Sequence, residues 1–312
     1  MENKKVKDFK EGEHVNTNLL ISSLTRGVTT AGAPYLTLVL QDASKAIDAK
    51  LWDVKSEIEK ELQVGKVYNF DLEINLYRNS LQAKVIRVLP ISQSEIKMED
   101  YVFASPIEKE VLRSHVGDVV NSLKNENIAK IVNAMLNYYD NDVYEYPAAS
   151  KIHHNFIGGL ATHMVGMLKI GEALCEIYPS INRDYLLAGI ILHDLGKIEE
   201  LSSPVVTEYS IEGKLLGHIS IVDARLLEIG KSLKLEDTEE LLILRHMVLS
   251  HHGKYEFGSP ILPETLEAEV LTYVDNIDAK INVIDKALEE IKEGEFTQKI
   301  FAMDNRTFYK HK

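Results

Sequence analysis

The longest apolar run of the chain, YLLAGIIL, occupies residues 185–192 and ends directly in His193 and Asp194. A run of this length is too short to cross a bilayer, so we predict a buried helix and no membrane partner. His193 and Asp194 therefore stand at the end of a predicted buried helix.

Further histidines and one aspartate occur in the same setting, each near the end or on the inward face of a different predicted helix. Helical domains assemble metal sites in this way. A single buried histidine is more often a hydrogen-bonded core residue than a ligand, but the whole ordered set favours a metal site. Imidazole with carboxylate suits borderline divalent ions, and a thiolate site is excluded because Cys175 is the single cysteine. The candidate metal ligands are His163, His193, Asp194, His218, His251, His252 and Asp275.

Apolar residues recur at helical spacing throughout the second part of the chain, which predicts an all-α domain over residues 107–312. The predicted helical stretches are 107–139, 158–178, 182–194, 218–233, 237–252 and 264–292. The apolar faces of the first and last stretches are compatible with a core or with a contact between copies. A homo-oligomer is therefore one expectation, and periodicity alone does not decide it.

The first part of the chain alternates between apolar and polar residues as β-strands do. The predicted strands cover residues 18–24, 35–40, 47–52, 66–74 and 81–89, with a short helix over 54–62. Five strands and one helix in about 90 residues predict a small closed barrel, an all-β domain over residues 1–90. The stretch from Pro90 to Pro106 is polar and has a proline at each end, so residues 91–106 are predicted to be the linker.

The net charge of −13 is unevenly distributed. Residues 1–90 hold 13 Lys and Arg against 12 Asp and Glu, whereas residues 91–312 hold 22 against 36. The plainest role of the acidic excess is solubility. An acidic protein attracts nucleic acid poorly, so any such binding must use local basic patches or metal ions. One cysteine and an N-terminus without an apolar signal core favour a cytoplasmic protein.

The order of the candidate metal ligands along the chain, from His163 to Asp275, resembles that of the HD-domain superfamily in its longer, two-metal form. The segment HDLGK, residues 193–197, is similar to the HDxGK signature of that superfamily. The segments SHHG, residues 250–253, and GSP, residues 258–260, resemble a variant of the HHE…GYP element of cyclic-dinucleotide phosphodiesterases. Two positions depart from that element, because Gly253 stands in place of Glu and Ser259 in place of Tyr.

A second resemblance covers nearly the whole chain. PYLTLVLQD, residues 34–42, and AKLW, residues 49–52, resemble the OB-fold of the anticodon-binding type. Together with HNFIGGLATH from His154, DNIDAK from Asp275 and the tail EFTQKIF…NR after residue 294, they resemble the YhaM family of bacterial 3′-to-5′ exoribonucleases. The resemblance implies a metal-dependent enzyme that releases nucleoside 5′-monophosphates from single-stranded RNA, with single-stranded DNA as a further substrate.

The resemblance to two-metal HD domains implies a role for each candidate site residue. The expected cofactors are two divalent ions, Mn first, with Fe, Co, Ni, Mg or Zn as alternatives. Asp194 is the expected bridging ligand of a water-activating centre, with His163, His193 and Asp275 on one ion. His218 and one or both of His251 and His252 are expected on the other. Lys197 could steady a phosphate oxygen, and His154 could contact phosphate, join the metal shell or protonate the leaving oxygen. Asp278 is either a hydrogen-bond partner of this centre or a solvated carboxylate.

The barrel would hold single-stranded RNA upstream of the site, since such surfaces combine stacking aromatics with basic side chains. The candidate contacts are Tyr35, Lys50, Trp52, Arg78 and Lys84, although Tyr35 and Trp52 could instead fill the barrel. Two other functions compete with the exoribonuclease. One is an HD-type cyclic nucleotide, cyclic dinucleotide or nucleotide phosphohydrolase, against which the OB-fold argues. The other is a non-catalytic nucleic-acid-binding module, against which the complete ligand set argues.

Overall fold

The structure is a computed structural model that describes residues 4–52, 54, 61–77, 80–149, 156–205 and 208–312. The short helix predicted over 54–62 lies mostly outside these residues. The chain divides into two compact units, residues 1–104 and residues 105–312, and the boundary falls within the segment predicted as the linker. The predicted fold class, a β-barrel followed by an all-α domain, is confirmed.

The first unit is a closed five-stranded barrel. Its strands are β1 (His14–Val28), β2 (Pro34–Gln41), β3 (Ala46–Trp52), β4 (Val67–Tyr77) and β5 (Ser80–Pro90). The order around the barrel is β1-β2-β3-β5-β4, and only the β3–β5 pair is parallel. This five-stranded closed barrel is the OB-fold architecture.

Successive side chains of each strand point alternately into and out of the barrel. Leu36, Leu38 and Leu40 on β2 are at most 1% exposed, so the residues between them lie on the outer face. In β3, Ala49 and Leu51 are buried in the same way. The aromatic and basic residues of these two strands therefore belong to the outside of the barrel rather than to its core.

The second unit contains eight described helices. They are α1 (Lys109–Asn121), α2 (Glu126–Tyr139), α3 (Gly159–Ile177), α4 (Arg183–Leu192), α5 (Lys197–Glu200), α6 (Ile211–Ser232), α7 (Glu239–Ser250) and α8 (Leu266–Glu289). The apolar run forms α4, whose residues from Leu186 to Leu192 are all buried, as the sequence predicts. None of the described helices combines the length and the apolar character that a membrane span requires.

Two helix boundaries differ from the predicted ones by more than three residues. The stretch 107–139 is two helices, because Asn125 caps α2 by accepting hydrogen bonds from the N–H groups of Asn127 and Ile128. Helix α6 begins seven residues before the predicted start at 218. Gly217, with φ of 72°, interrupts it, so His218 begins the regular part of that helix.

Candidate metal centre

Five histidines of the helical unit share one arrangement, in which the Nδ1 atom of each ring lies within hydrogen-bond distance of an oxygen. The partners are Asp278 Oδ2 for His163 at 2.7 Å, the Ile190 carbonyl for His193 at 2.8 Å, Glu200 Oε1 for His218 at 3.1 Å, the Val248 carbonyl for His251 at 2.7 Å and the Phe257 carbonyl for His252 at 2.7 Å. An oxygen acceptor holds the proton on Nδ1, so Nε2 is the ring nitrogen left to bind a metal. Metal-binding histidines are oriented by this kind of partner.

Most of the other ring nitrogens are buried, and their chemistry suits a cation. Among the described residues, Nε2 of His193, His218 and His251 and Oδ1 of Asp194 are buried without a hydrogen-bond partner. Such atoms are rare in folded proteins and call for an explanation. Donor atoms form two groups, each within 4.8 Å, made by His163, His193 and Asp194 and by His218, His251 and His252. This donor set fits divalent metal.

Asp194 lies between the two groups and is 3% exposed. Its Oδ2 lies 3.3 Å from His193 Nε2 and 4.0 Å from His163 Nε2. Its Oδ1 lies 3.5 Å from His218 Nε2 and 3.7 Å from His251 Nε2. Each carboxylate oxygen therefore faces a different group of histidines.

Two aspartates of α8 hold His163 from both sides of its ring. Asp275 Oδ1 lies 3.2 Å from Nε2, and Asp278 Oδ2 lies 2.7 Å from Nδ1. Burial alone would lower the pKa of His163, but hydrogen bonds to these two carboxylates raise it to about 9. Gly166 on α3 makes room for this approach, because a Cβ there would overlap Asp278. Of the two roles open to Asp278, the structure shows hydrogen bonding to His163 rather than free solvation.

Lys197 pairs with the central carboxylate instead of pointing into solvent. Its Nζ lies 2.6 Å from Asp194 Oδ2, and its side chain is 12% exposed. Burial would lower the pKa of Lys197, but the Asp194 carboxylate raises it above its usual value. Burial likewise opposes ionisation of Asp194, yet Lys197 and the neighbouring histidines hold the pKa of that carboxyl well below its usual range. The two groups form a buried ion pair.

Glu200 is a residue of this centre that the sequence reasoning missed. Its Oε1 accepts hydrogen bonds from the backbone N–H of His218 at 3.0 Å and from Nδ1 at 3.1 Å. Burial would raise the pKa of Glu200, but His218 lowers it, so Glu200 is a carboxylate. One side chain thus caps the regular part of α6 and orients the imidazole. Its only sequence signal is its place just after HDLGK.

Glu199, the third residue of α5, points away from the histidine cluster. Glu199 accepts a bidentate pair of hydrogen bonds from Arg225, at 3.0 Å and 2.8 Å, and a third from the Tyr139 hydroxyl at 2.7 Å. Bidentate pairs with arginine are strong and directional. This contact fixes α5 to α2 and α6, while Lys197 and Glu200 face the histidine cluster.

Gly253 explains one departure from the HHE…GYP element. Its φ of 75° is left-handed, and a Cβ there would overlap Thr272 Cγ2. A glutamate at this position would be strained in its backbone and would collide with α8. The chain therefore uses His251 and His252 without the acidic residue that follows them in the other element.

We expect Gly253→Ala to destabilise the helical unit. The left-handed backbone should cost about 1–2 kcal/mol, and the collision with Thr272 about 1–3 kcal/mol more. Thermal unfolding monitored by circular dichroism gives the change. The double variant Gly253→Ala/Thr272→Ser removes the colliding methyl group and should recover only the second part. Full recovery in the double variant would contradict the backbone argument.

The candidate nucleic-acid residues of the barrel come together on its outer face. Tyr35 pairs with Trp52 across β2 and β3, their ring centroids are 5.0 Å apart, and Trp52 is 44% exposed. Lys50 Nζ lies 4.8 Å from the Tyr35 ring, and Lys50 pairs with Lys84 across β3 and β5. Gly27 lies under the Tyr35 ring, where a Cβ would overlap it. The alternative that the aromatics fill the barrel does not hold for this arrangement.

Two other candidates, His154 and Arg78, lie outside the described residues. All seven candidate metal ligands belong to one cluster, and Lys197 is joined to it through Asp194. That these residues bind metal stays a prediction from their geometry.

The fold and the cluster define an HD-domain protein with an N-terminal OB-fold, and the HD domain family matches residues 160–280. The 3′-5′ exoribonuclease YhaM of Bacillus pumilus (strain SAFR-032) is 44% identical over 308 residues, 98% of each chain. That of Bacillus subtilis (strain 168) is 45% identical over 300 residues, 96% of this chain and 95% of the relative. The chain belongs to the YhaM family, which confirms the resemblance.

Among solved structures, the barrel is similar to a domain of replication protein A from Methanococcus maripaludis. The two are 16% identical, with a TM-score of 0.26, over 30% of this chain and 98% of that one. A likeness this weak adds nothing to the OB-fold assignment, which rests on the strand order.

Proposed function

We propose that this protein is a metal-dependent 3′-5′ exoribonuclease. It hydrolyses single-stranded RNA to nucleoside 5′-monophosphates, and single-stranded DNA is a second substrate. Membership of the YhaM family supports the reaction and its polarity. The observation that carries the chemistry is Asp194, whose two oxygens face two separate groups of histidine nitrogens.

Two ions would share Asp194. His163, His193 and Asp275 would complete one set of ligands, and His218, His251 and His252 would complete the other. Borderline ions match nitrogen with carboxylate, and Mn is our first choice, ahead of Fe, Co, Ni, Mg and Zn. When bound, such ions supply an activated water and neutralise charge on phosphoryl oxygens.

The protein's own residues prepare this centre. Asp278 and Glu200 hold the Nδ1 protons of His163 and His218, so Nε2 of each ring is the atom that would bind an ion. The raised pKa of His163 keeps its metal-free ring protonated, so an ion would have to replace the proton on Nε2. Lys197 keeps Asp194 ionised, and an ammonium has three protons, of which the ion pair uses one. The remaining N–H groups are available to a phosphate oxygen, which is the role we assign to Lys197.

The outer face of β2, β3 and the neighbouring β5 offers groups that can hold a single strand. Tyr35 on β2 and Trp52 on β3 offer rings to bases, while Lys50 on β3 and Lys84 on β5 offer charge to phosphates. The β2–β3 face is where OB-folds bind oligonucleotides. We place the activity in the cytoplasm, since one cysteine suits a reducing compartment.

The test is a time course with 5′-labelled single-stranded RNA and Mn. We expect a descending ladder of labelled products together with released nucleoside 5′-monophosphates. A single labelled mononucleotide appearing at once would indicate the opposite polarity and contradict the proposal. Intact RNA alongside a hydrolysed cyclic dinucleotide would favour the small-molecule phosphohydrolase. RNA binding without cleavage under every metal would favour the non-catalytic module.

We expect Gly27→Ala to weaken binding of long RNA by about tenfold, because the new methyl group displaces the Tyr35 ring from Trp52 and one stacked base is lost. Fluorescence anisotropy with labelled RNA measures the affinity. Gly117→Ala is the matched control, because a Cβ there meets nothing within 4 Å. If Gly27→Ala unfolds normally and binds like the control, the rings of Tyr35 and Trp52 are not a binding surface.

A further inference from the structure

Beyond α8 the chain forms a short antiparallel hairpin that the proposed chemistry does not use. We call residues 294–312 the C-terminal hairpin. Bridges pair Phe296 with Tyr309 and Ile300 with Arg306. The tip between them contains a short 3-10 turn and two residues with positive φ, which lets the chain reverse within a few residues.

One side of the C-terminal hairpin is anchored. Lys310 Nζ donates hydrogen bonds to the carbonyls of Leu288 at 2.8 Å and Ile291 at 3.0 Å, where α8 ends. Such a contact satisfies carbonyls at a helix C-terminus and favours a positive charge there. Thr297 and Met303 are 5% and 4% exposed. The hairpin is therefore an ordered element with a buried side rather than a free tail.

The other side presents aromatic rings to solvent. Phe301, in the turn at the tip, is 87% exposed, the largest value for a described large hydrophobic residue. Phe296 and Tyr309 are 64% and 47% exposed, and their ring centroids are 5.0 Å apart. Clustered exposed apolar residues mark interaction sites, because the free energy falls when a partner covers them.

The charge of this element is opposite to that of its surroundings. Residues 296–312 hold four Lys and Arg against one Asp, whereas residues 105–295 hold 17 against 32. Lys299 is exposed and has no ion pair among the described residues, and Arg306 is 57% exposed, 3.8 Å from Asp304. Cations between exposed rings form the pattern that binds a single strand of nucleic acid.

We propose that the C-terminal hairpin is a second contact for single-stranded RNA. Phe301 and the pair of Phe296 and Tyr309 stack on bases, while Lys299 and Arg306 contact phosphates. This inference rests on the proposed function, because a strand degraded from its 3′ end is the occupant that combines bases and negative charge. A second copy of the chain, the other occupant suited to exposed rings, is an outcome that the test distinguishes.

The hairpin contacts nucleotides away from the bond that is cut. Asp275 lies 14 residues before the end of α8 at Glu289, which is about 21 Å along the helix axis. A dinucleotide bound at the histidine cluster would not span the distance to this end of α8, where Lys310 anchors the hairpin, but a long RNA would. The hairpin therefore affects the KM for long RNA and leaves the hydrolysis of a dinucleotide unchanged.

The test compares Phe301→Ala and Lys299→Ala with matched exposed controls, Tyr178→Ala and Lys231→Ala, in the full-length protein with Mn. For an RNA of about 20 nucleotides, Phe301→Ala should raise KM about tenfold while kcat is kept. Lys299→Ala should reduce the steepness of the salt dependence of binding by about 0.7, the contribution of one phosphate contact to a single strand. Both variants should hydrolyse the dinucleotide pApA at the wild-type rate, and the controls should match wild type on both substrates.

Each of three other results would contradict a different part of the proposal. If wild type does not degrade the long RNA, the proposed function fails. If wild type degrades it and the hairpin variants match their controls, only the hairpin inference fails. If Phe301→Ala changes the molar mass measured by light scattering, the hairpin is an interface between copies and the RNA contact is wrong.

Discussion

Asp194→Asn is expected to abolish hydrolysis, with kcat reduced by about 1,000-fold or more. The asparagine keeps the shape of the side chain but removes the charge that two groups of histidine donors share. Metal binding should weaken with it. Isothermal titration with Mn and the RNA time course measure the two losses separately.

The same substitution should also destabilise the fold, because it leaves the Lys197 ammonium without its partner. Breaking a buried ion pair from one side costs about 3–5 kcal/mol, and we expect the lower end because Lys197 remains 12% exposed. Chemical denaturation of the metal-free protein gives this value.

A double variant separates the two effects. Asp194→Asn/Lys197→Met removes both charges, so it should regain most of the lost stability and none of the activity. His246→Gln is the control, since His246 lies on α7 outside the cluster and accepts a hydrogen bond from the Glu264 N–H. Activity in the Asp194 variants close to that of the control would contradict the role of this carboxylate.

Glu200→Ala is expected to lower metal affinity and activity by about 10–100-fold, the usual effect of losing the partner of a metal-binding histidine. The alanine leaves His218 free to change tautomer and removes the acceptor for its backbone N–H. Metal titration is the decisive measurement, because it reports on His218 without the reaction.

Glu200→Gln tests whether hydrogen bonding or charge is responsible. Its amide oxygen can still accept from His218, so we expect an intermediate loss. Glu212→Ala, an exposed acidic residue of α6, is the matched control. Equal metal affinity for Glu200→Ala and Glu212→Ala would show that Glu200 does not position His218.

Much of this architecture could be predicted because local rules and burial agree. In β2 the alternation of apolar and polar residues places Leu36, Leu38 and Leu40 inside the barrel, and the apolar run of residues 185–192 forms the predicted buried helix, α4. Histidines at helix ends, such as His193 and His251, were recognisable because apolar periodicity stops there. The order of the candidate ligands along the chain agreed with the HD-domain pattern, which identified them as one site.

The features that could not be predicted depend on tertiary contacts, which the periodicity of the sequence does not show. Glu199 and Glu200 are adjacent and chemically alike, yet one binds Arg225 and the other His218. Sequence spacing also does not show that Gly253 lies against Thr272. The predicted stretch 107–139 carries one apolar pattern through two helices, and only the side-chain cap at Asn125 marks the break.

We expect the break at Gly217 to couple the folding of α6 to metal binding at the candidate centre. Glu200 holds both the first N–H of the regular helix and the ring of His218, so fraying of that turn would release a donor. By linkage, an ion that binds only the intact turn must oppose its opening. Amides near His218 should therefore exchange with solvent deuterium more slowly as Mn is added, which makes this single turn a reporter of metal loading.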